Sequence, residues 1–373
     1  MTDQISILFF CRNFHQMAGG VERMATLIMN QMVQRGFRVG LVTWDSIDAQ
    51  PHYSLDASIE WIKLDLGNAE VSANWILRFR RQIAIRRAAT KFRPDVAIGF
   101  QVGTFLAAKI AMLGMGVPII AAERNSPDLF NFVTNGKVKR SKANLALMMA
   151  DCVTVQFESY RKKYPSNITK HIVAIPNPVK SLDQPAYPNE ADIKPRRILN
   201  VGRLSYQKNQ QFLIRAFSRI AQAYPGWVLT IVGEGEKRSD LEQLIADTKL
   251  TNRVELIGAV TDVDAWYRKS SFLAFPSLWE GFPNVLVEAF RQGLPAVGLK
   301  ETAGVNELIL HNETGLLAAN DEVDFALSMQ RLIDDYEFRC SAGRSARNSV
   351  VRFEPEAIFN EWDFLFNQLA KRH

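Results

Sequence analysis

What this 373-residue chain has little of bounds it first. Cysteine occurs three times, at Cys11, Cys152 and Cys340, with no C-x-x-C pair and no histidine at metal-ligand spacing. That excludes a disulfide scaffold and a structural zinc site and points to a reducing compartment. Long apolar runs are also missing. The best candidate, AAKIAMLGMGVPIIAA at 107–122, is broken by Lys109, two glycines and Pro118. It falls short of the roughly 20 apolar residues a bilayer requires. The amino terminus, MTDQISILFF, places an acid where a secretion signal carries positive charge, and its apolar run is short. Neither a signal peptide nor a transmembrane helix is expected. The G-x-G-x-x-G fingerprint is absent, which disfavours a dehydrogenase. No short-period repeat and no low-complexity tract interrupts the chain.

What is there is ordinary in amount and uneven in placement. Hydrophobic residues make up 47% and charged residues 23%, as in soluble globular proteins. The length exceeds one core and predicts two domains. Net charge is +6, yet residues 1–180 carry 23 Lys/Arg against 13 Asp/Glu, whereas residues 181–373 carry 22 against 26. The first half therefore faces an anionic partner, either nucleic acid or a membrane surface. No aromatic-basic RNA motif or basic recognition helix accompanies the pI near 9.2, so nucleic-acid binding is the weaker reading.

Short Val/Ile/Leu-rich runs alternate with stretches of helical period. The runs in the first half are ISILFF, RVGLVTW, IEWIKL, DVAIGF, PIIAA, CVTVQF and HIVAIP. Those in the second are RILNVG, WVLTIVG, RVELIGA, SFLAFPS, LPAVGL and TGLLAA. Strand and helix in alternation predict parallel sheets covered on both faces, hence two doubly wound α/β domains. Five prolines with polar filler at 175–197 mark the linker, which sets domain limits of 1–180 and 190–350. A final helix, EPEAIFNEWDFLFNQLAK, has no following strand, and spacing alone leaves open whether it packs back on the first domain.

In open parallel sheets ligands bind beyond the carboxyl ends of strands, so the loops there carry the candidate chemistry. After the first strand, Gly19 and Gly20 precede an amphipathic helix whose start favours an anion, with a plain tight turn as the alternative. After RILNVG come Arg203 and Lys208 at a helix start, where the dipole disfavours cations. A diphosphate resolves that conflict, with solvated surface cations as the alternative. Gly233 and Gly235 bracket Glu234 after WVLTIVG and permit close backbone approach, as simple turns also do. In SLWEGFPNVLVEAF, Pro283 predicts a helix start at which Asn284 and Val285 supply amides. Glu288 lies one turn on, among apolar neighbours, and requires donors there. Ligand hydroxyls or an internal Arg or Lys both qualify. Cations for phosphates and acids for hydroxyls together fit a nucleotide sugar. The single D-x-D, Asp262 and Asp264, opens a helix and is expected to cap it. In WILRFRRQIAIRRAATKFR (75–93), Trp75, Phe79 and Ile83 face Arg78, Arg81, Arg86 and Arg87, and VKRSK follows later. This suits a helix lying on anionic lipid, or one packed on its own sheet with a solvated basic face.

Taken together, GGVER, NVGRLSYQKN, VGEG, EGFPNVLVEA and ETAGVNELILHNETGLL resemble the retaining glycosyltransferases of family 4. That resemblance spans nearly the whole chain. It implies the GT-B fold, two Rossmann-like domains with the site in the cleft between them, and a carboxy-terminal helix (355–373) returning to the first. It implies that Arg203 and Lys208 hold the donor's diphosphate, Glu288 the ribose and Glu280 the sugar, with Gly233, Phe282, Asn284 and Val285 beside them. Gly19 and Gly20 are then expected to close over the phosphates. The stretch PIIAAERNSP departs from the histidine and acid that many members carry, and its Glu123, Arg124 and Asn125 look like those of bacterial enzymes acting on lipid-linked oligosaccharides. The implied acceptor is a lipid-linked saccharide contacted by those three residues, the implied donor a UDP-sugar, and the implied place the inner face of the cytoplasmic membrane. Catalysis falls to Glu280, Arg203, Lys208 and Glu123, with no metal or other cofactor. A soluble sugar-to-sugar transferase or a nucleotide-sugar epimerase on the same fold is the alternative.

Overall fold

The structure, a computed structural model, describes residues 4–67, 74–179, 182 and 196–371. Most of the proline-rich stretch at 175–197 lies outside the described residues. The chain divides into two compact units, Met1–Pro178 with Glu356–His373, and Val179–Pro355.

The first unit is built on seven strands: β1 (Ser6–Phe10), β2 (Arg38–Thr43), β3 (Glu60–Lys63), β4 (Val96–Phe100), β5 (Ile119–Ala122), β6 (Cys152–Val155) and β7 (Ile172–Ala174). They are ordered β3-β2-β1-β4-β5-β6-β7 and every pairing is parallel, with Ile7 opposite Val39 on one side and Val96 on the other. All five residues of β1 are buried, as a central parallel strand covered on both faces requires. Helix Gly20–Gln34 covers one face by burying Met24, Ile28, Met29 and Met32, a stripe one turn apart.

The chain's last helix, Pro355–Ala370, completes this same core. Its Ile358, Phe359, Trp362, Leu365, Phe366 and Leu369 are buried with Phe9, Phe37 and Met32. The Phe366 ring meets those of Phe9 and Phe37 edge-on at 6.1 and 6.3 Å. Arg35 clasps the helix through Glu356, Asn360 and Asp363 at 2.8, 2.7 and 3.1 Å.

The second unit carries β8 (Arg196–Val201), β9 (Trp227–Val232), β10 (Val254–Gly258), β11 (Phe272–Phe275), β12 (Ala296–Leu299) and β13 (Gly315–Ala318). Their order is β10-β9-β8-β11-β12-β13, again wholly parallel. Each of the thirteen apolar runs in the sequence forms one of these strands. In both sheets the order reverses beside the first strand, between β1 and β4 and between β8 and β11. Such a switch point opens a crevice at the strands' carboxyl ends.

Candidate active site

In the second unit the switch point is occupied. The chain leaves β8 through Gly202, whose φ of +153° lies in a region open to glycine. It passes Arg203 and makes a 3₁₀ turn, Tyr206–Lys208, before helix Gln210–Ile220. Across the crevice the chain leaves β11 through Pro276–Glu280. The two loops are tied together: Gln207 Nε2 donates to the Trp279 carbonyl at 2.7 Å, Leu278 N to the Gln207 carbonyl at 2.9 Å, and Asn209 Nδ2 to the Pro276 carbonyl at 3.3 Å. At the centre Lys208 Nζ donates to Glu280 Oε1 at 2.6 Å, with the lysine side chain 17% and the glutamate 8% exposed. The helix start that disfavours Lys208 is thus balanced by a carboxylate of the chain itself. Arg203 lies outside this shelter. It is largely exposed and pairs with exposed Glu236 at 3.1 Å, a contact worth at most about 1 kcal/mol and readily exchanged for a ligand anion.

Helix Asn284–Arg291 begins after Pro283. Asn284 N bonds the Phe282 carbonyl at 2.9 Å, so this amide is engaged in the turn, contrary to the expectation from sequence. Val285 keeps an N–H that the helix itself does not use. Glu288 is partly buried and accepts from the Tyr267 hydroxyl at 3.1 Å; that hydroxyl also lies 3.3 Å from the Val285 carbonyl. A phenol, which the sequence did not suggest, is thus one donor to this carboxylate. Burial first, and the Glu288 charge second, push the Tyr267 hydroxyl well above its ordinary pKa, so it stays a neutral donor. Tyr267 was not legible as a site residue. Its only sequence signal is its place after the D-x-D, on the short helix Asp264–Arg268.

The D-x-D itself is spent locally. Asp262 Oδ1 accepts from Ala265 N at 3.1 Å, the expected cap. Asp264 Oδ1 accepts from Arg291 and Gln292 at 2.8 and 3.1 Å. Among the described residues no group of three or more His, Cys, Asp or Glu converges as a metal site would. The Gly233 and Gly235 loop has a packing reason of its own. A Cβ on Gly233 would lie 2.0 Å from the Gly202 carbonyl oxygen, and one on Gly235 2.3 Å from that of Leu204.

In the first unit, Gly19 caps helix Gly20–Gln34 with an ordinary φ of −74°. A Cβ there would lie 2.1 Å from Glu22 Oε2. The chain's own carboxylate thus occupies the amide-rich start at which a phosphate was expected, and burial raises the Glu22 pKa. At the end of β5, the neighbours Glu123, Arg124 and Asn125 part company. Glu123 and Asn125 line a pocket of about 390 Å³ with Ser126 and the start of helix Val102–Ala111. Burial raises the Glu123 carboxyl to about 7, against a hydrogen bond from the Val102 amide and the charge of Arg124, which both pull it down. Arg124 is turned inward instead. It donates to the Ile175 carbonyl at 3.2 Å and Thr154 Oγ1 at 3.1 Å, and lies 5.1 Å from the centre of the Trp362 ring. Burial lowers it to about 10. Its position suits the fold and not an acceptor.

The basic helix Trp75–Phe92 also sorts its residues differently from the expectation. Arg81 is buried and bonds the Leu66 carbonyl at 2.8 Å, beside Ile85, Ala88, Ala89 and Phe92 on the packed face. Trp75 is 77% and Phe79 62% exposed, with Ile76 and Ile83 exposed beside them. The apolar stripe thus faces away from the sheet.

Residues 195–335 match the family model described as Glycosyl transferases group 1, and residues 19–178 the model described as Glycosyl transferase 4-like domain. The chain is 26% identical over 356 residues, 95% of it and 98% of the relative, to an uncharacterized glycosyltransferase of Haemophilus influenzae. It is 24% identical over 348 residues, 92% of it and 94% of the relative, to a Campylobacter jejuni enzyme. That enzyme is named a GalNAc-alpha-(1->4)-GalNAc-alpha-(1->3)-diNAcBac-PP-undecaprenol alpha-1,4-N-acetyl-D-galactosaminyltransferase. Among solved structures, sucrose-phosphate synthase from Thermosynechococcus elongatus shares the fold with a TM-score of 0.83 at 20% identity, covering 99% of this chain and 100% of that one. Anabaena HepE in complex with UDP and glucose does so with a TM-score of 0.76 at 17% identity, covering 98% and 100%. Both halves and the fold that joins them agree: the chain belongs to the glycosyltransferases, a 4-like domain followed by a group 1 domain on the GT-B architecture.

Proposed function

We propose that this glycosyltransferase moves a hexose or N-acetylhexosamine from a UDP-sugar to a lipid-linked saccharide, with retention of anomeric configuration, in the making of a surface polysaccharide. The observation that carries the donor side is the Lys208–Glu280 pair at the switch point of the second sheet, with Arg203 at its rim and Glu288 braced by Tyr267. In this reading Arg203 and Lys208 take the diphosphate, and the Val285 amide at the helix start adds a dipole toward it. Glu288 accepts from ribose hydroxyls and Glu280 from the sugar. Gly233 and Phe282 contribute backbone and an apolar wall.

The departing diphosphate takes the acceptor's proton on the face it leaves, which preserves configuration. Fixed cations stabilise the charge growing on it, by roughly 3 to 4 kcal/mol for a well-placed donor. With Asp262 and Asp264 already bonded within the fold, no divalent cation is assigned, and turnover is expected to persist in chelator. Glu123 and Asn125 receive the acceptor. The relative from Campylobacter jejuni is named for a diphospho-undecaprenol acceptor, and HepE was solved with UDP, which supports both choices. A lipid-linked acceptor places the enzyme on the inner face of the cytoplasmic membrane, held there by the basic first unit.

A panel of UDP- and GDP-sugars, assayed for hydrolysis and thermal stabilisation with and without chelator, tests this reading. A UDP-sugar should be selected and NMR of the product should show the donor's configuration. Inversion, selection of GDP-sugars or complete loss in chelator would each overturn its corresponding part.

A further inference from the structure

We propose that the pocket of the first unit is a sugar-phosphate site, with Glu123 and Asn125 holding the sugar and Lys139 and Lys142 its phosphate. The inference rests on the transferase reading and deepens it. It gives the acceptor's class as a saccharide carrying phosphate or diphosphate beside the sugar that reacts.

Lys139 and Lys142 are three residues apart on helix Gly136–Leu147, so they share one face, and both line the same pocket as Glu123. Like charges at that spacing repel, and an anion between them turns the repulsion into attraction. Neighbouring polar groups are already engaged. Arg140 donates to the Lys163 carbonyl at 2.5 Å, and Lys163 pairs with Asp128 at 3.3 Å. Among the described residues, neither Lys139 nor Lys142 has a carboxylate partner, and Glu123 is the one acid lining the pocket. That acid is held at the start of helix Val102–Ala111 by the Val102 amide. The remaining walls, including Leu106, Phe130 and Ala143, are apolar and suit the carbon face of a sugar ring. A volume of about 390 Å³ sits at the low end of small-molecule sites, roughly 300 to 1,000 Å³, and favours one sugar with its phosphate over a whole nucleotide sugar.

The test titrates α-N-acetylgalactosamine 1-phosphate and free N-acetylgalactosamine into the full-length protein saturated with UDP, so that the donor's own phosphate site is filled. The 1-phosphate should bind at least about tenfold more tightly than the free sugar, as expected for hydrogen bonds to a charged group. In the Lys139→Glu, Lys142→Glu double variant that preference should vanish while UDP affinity holds. Both lysines are exposed, so the variant is expected to fold. Equal preference in the wild type and the variant overturns the site. So does a wild type that binds UDP and ignores the 1-phosphate. Failure of the wild type to bind UDP sinks the transferase reading instead, and the same titration without UDP then decides the lysine pocket by itself.

Discussion

Lys208 and Glu280 lie 72 residues apart and each holds the other's charge out of water. Removing one therefore does more than remove a ligand contact. Lys208→Ala takes the ammonium away from a mostly buried carboxylate, and the protein is expected to lose about 3 kcal/mol of stability along with its activity. The double variant Lys208→Ala, Glu280→Gln should recover most of that stability and none of the activity. Thermal melts of the three proteins check it, and an unchanged melt in the single variant would remove the pair from the argument. Glu123 makes a second prediction at this scale. Its folded pKa of about 7 lies above the ordinary 4.5, so the native state holds the proton where the unfolded state has lost it. Stability should accordingly fall as pH rises from about 4.5 to 7 and then level, by up to about 3 kcal/mol, and Glu123→Gln should abolish that slope. Transfer, if it uses the ionised carboxylate to accept from the acceptor, should rise through the same window in the wild type and lie flat in the variant. Arg124, Tyr164 and the pocket lysines are the charged and titratable groups around it. An activity profile that ignores Glu123→Gln would dismiss the carboxylate from the reaction.

Helix Trp75–Phe92 shows what an element adds to its residues. Its sequence reads equally as a lipid-facing helix or as one packed on the sheet, because apolar and basic positions both recur near 3.6 residues. Packing separates them: Arg81, Ile85, Ala88, Ala89 and Phe92 turn inward, and Trp75, Ile76, Phe79 and Ile83 outward with the cations Arg78, Arg80 and Arg87 exposed among them. That arrangement matches the interfacial helix of the proposed function. Trp75→Ala with Phe79→Ala is expected to cut binding to vesicles of phosphatidylserine and phosphatidylcholine by about tenfold or more, with the melting temperature kept, since each ring is mostly exposed. Sedimentation with liposomes measures it, and unchanged binding would assign the stripe no part in the membrane contact.

At the scale of the molecule, residues at the two ends of the chain form one core. Trp362 is fully buried, stacks on Phe366 at 5.6 Å and lies over the Arg124 guanidinium. Trp362→Ala is expected to cost the first unit about 3 to 5 kcal/mol, through lost burial and the cavity left behind. Because Arg124 adjoins Glu123, acceptor-dependent transfer should suffer while UDP binding by the second unit survives. Calorimetry and UDP titration of the same variant check this, and loss of UDP binding would show that the damage is not local to the first unit.

The strand runs, the doubly wound class and the loops bearing Arg203, Lys208, Glu280, Glu288 and Glu123 were determined by the sequence alone, because periodicity and residue type are local properties that each segment carries with it. Which charges meet is not local. Only the folded sheets bring Lys208 against Glu280, Tyr267 under Glu288 and Glu22 over Gly19, and turn Arg124 and Arg81 inward while Glu123 and Trp75 stay accessible. A side chain's partner depends on the register of strands distant in sequence, and its direction on which face of its element the core claims.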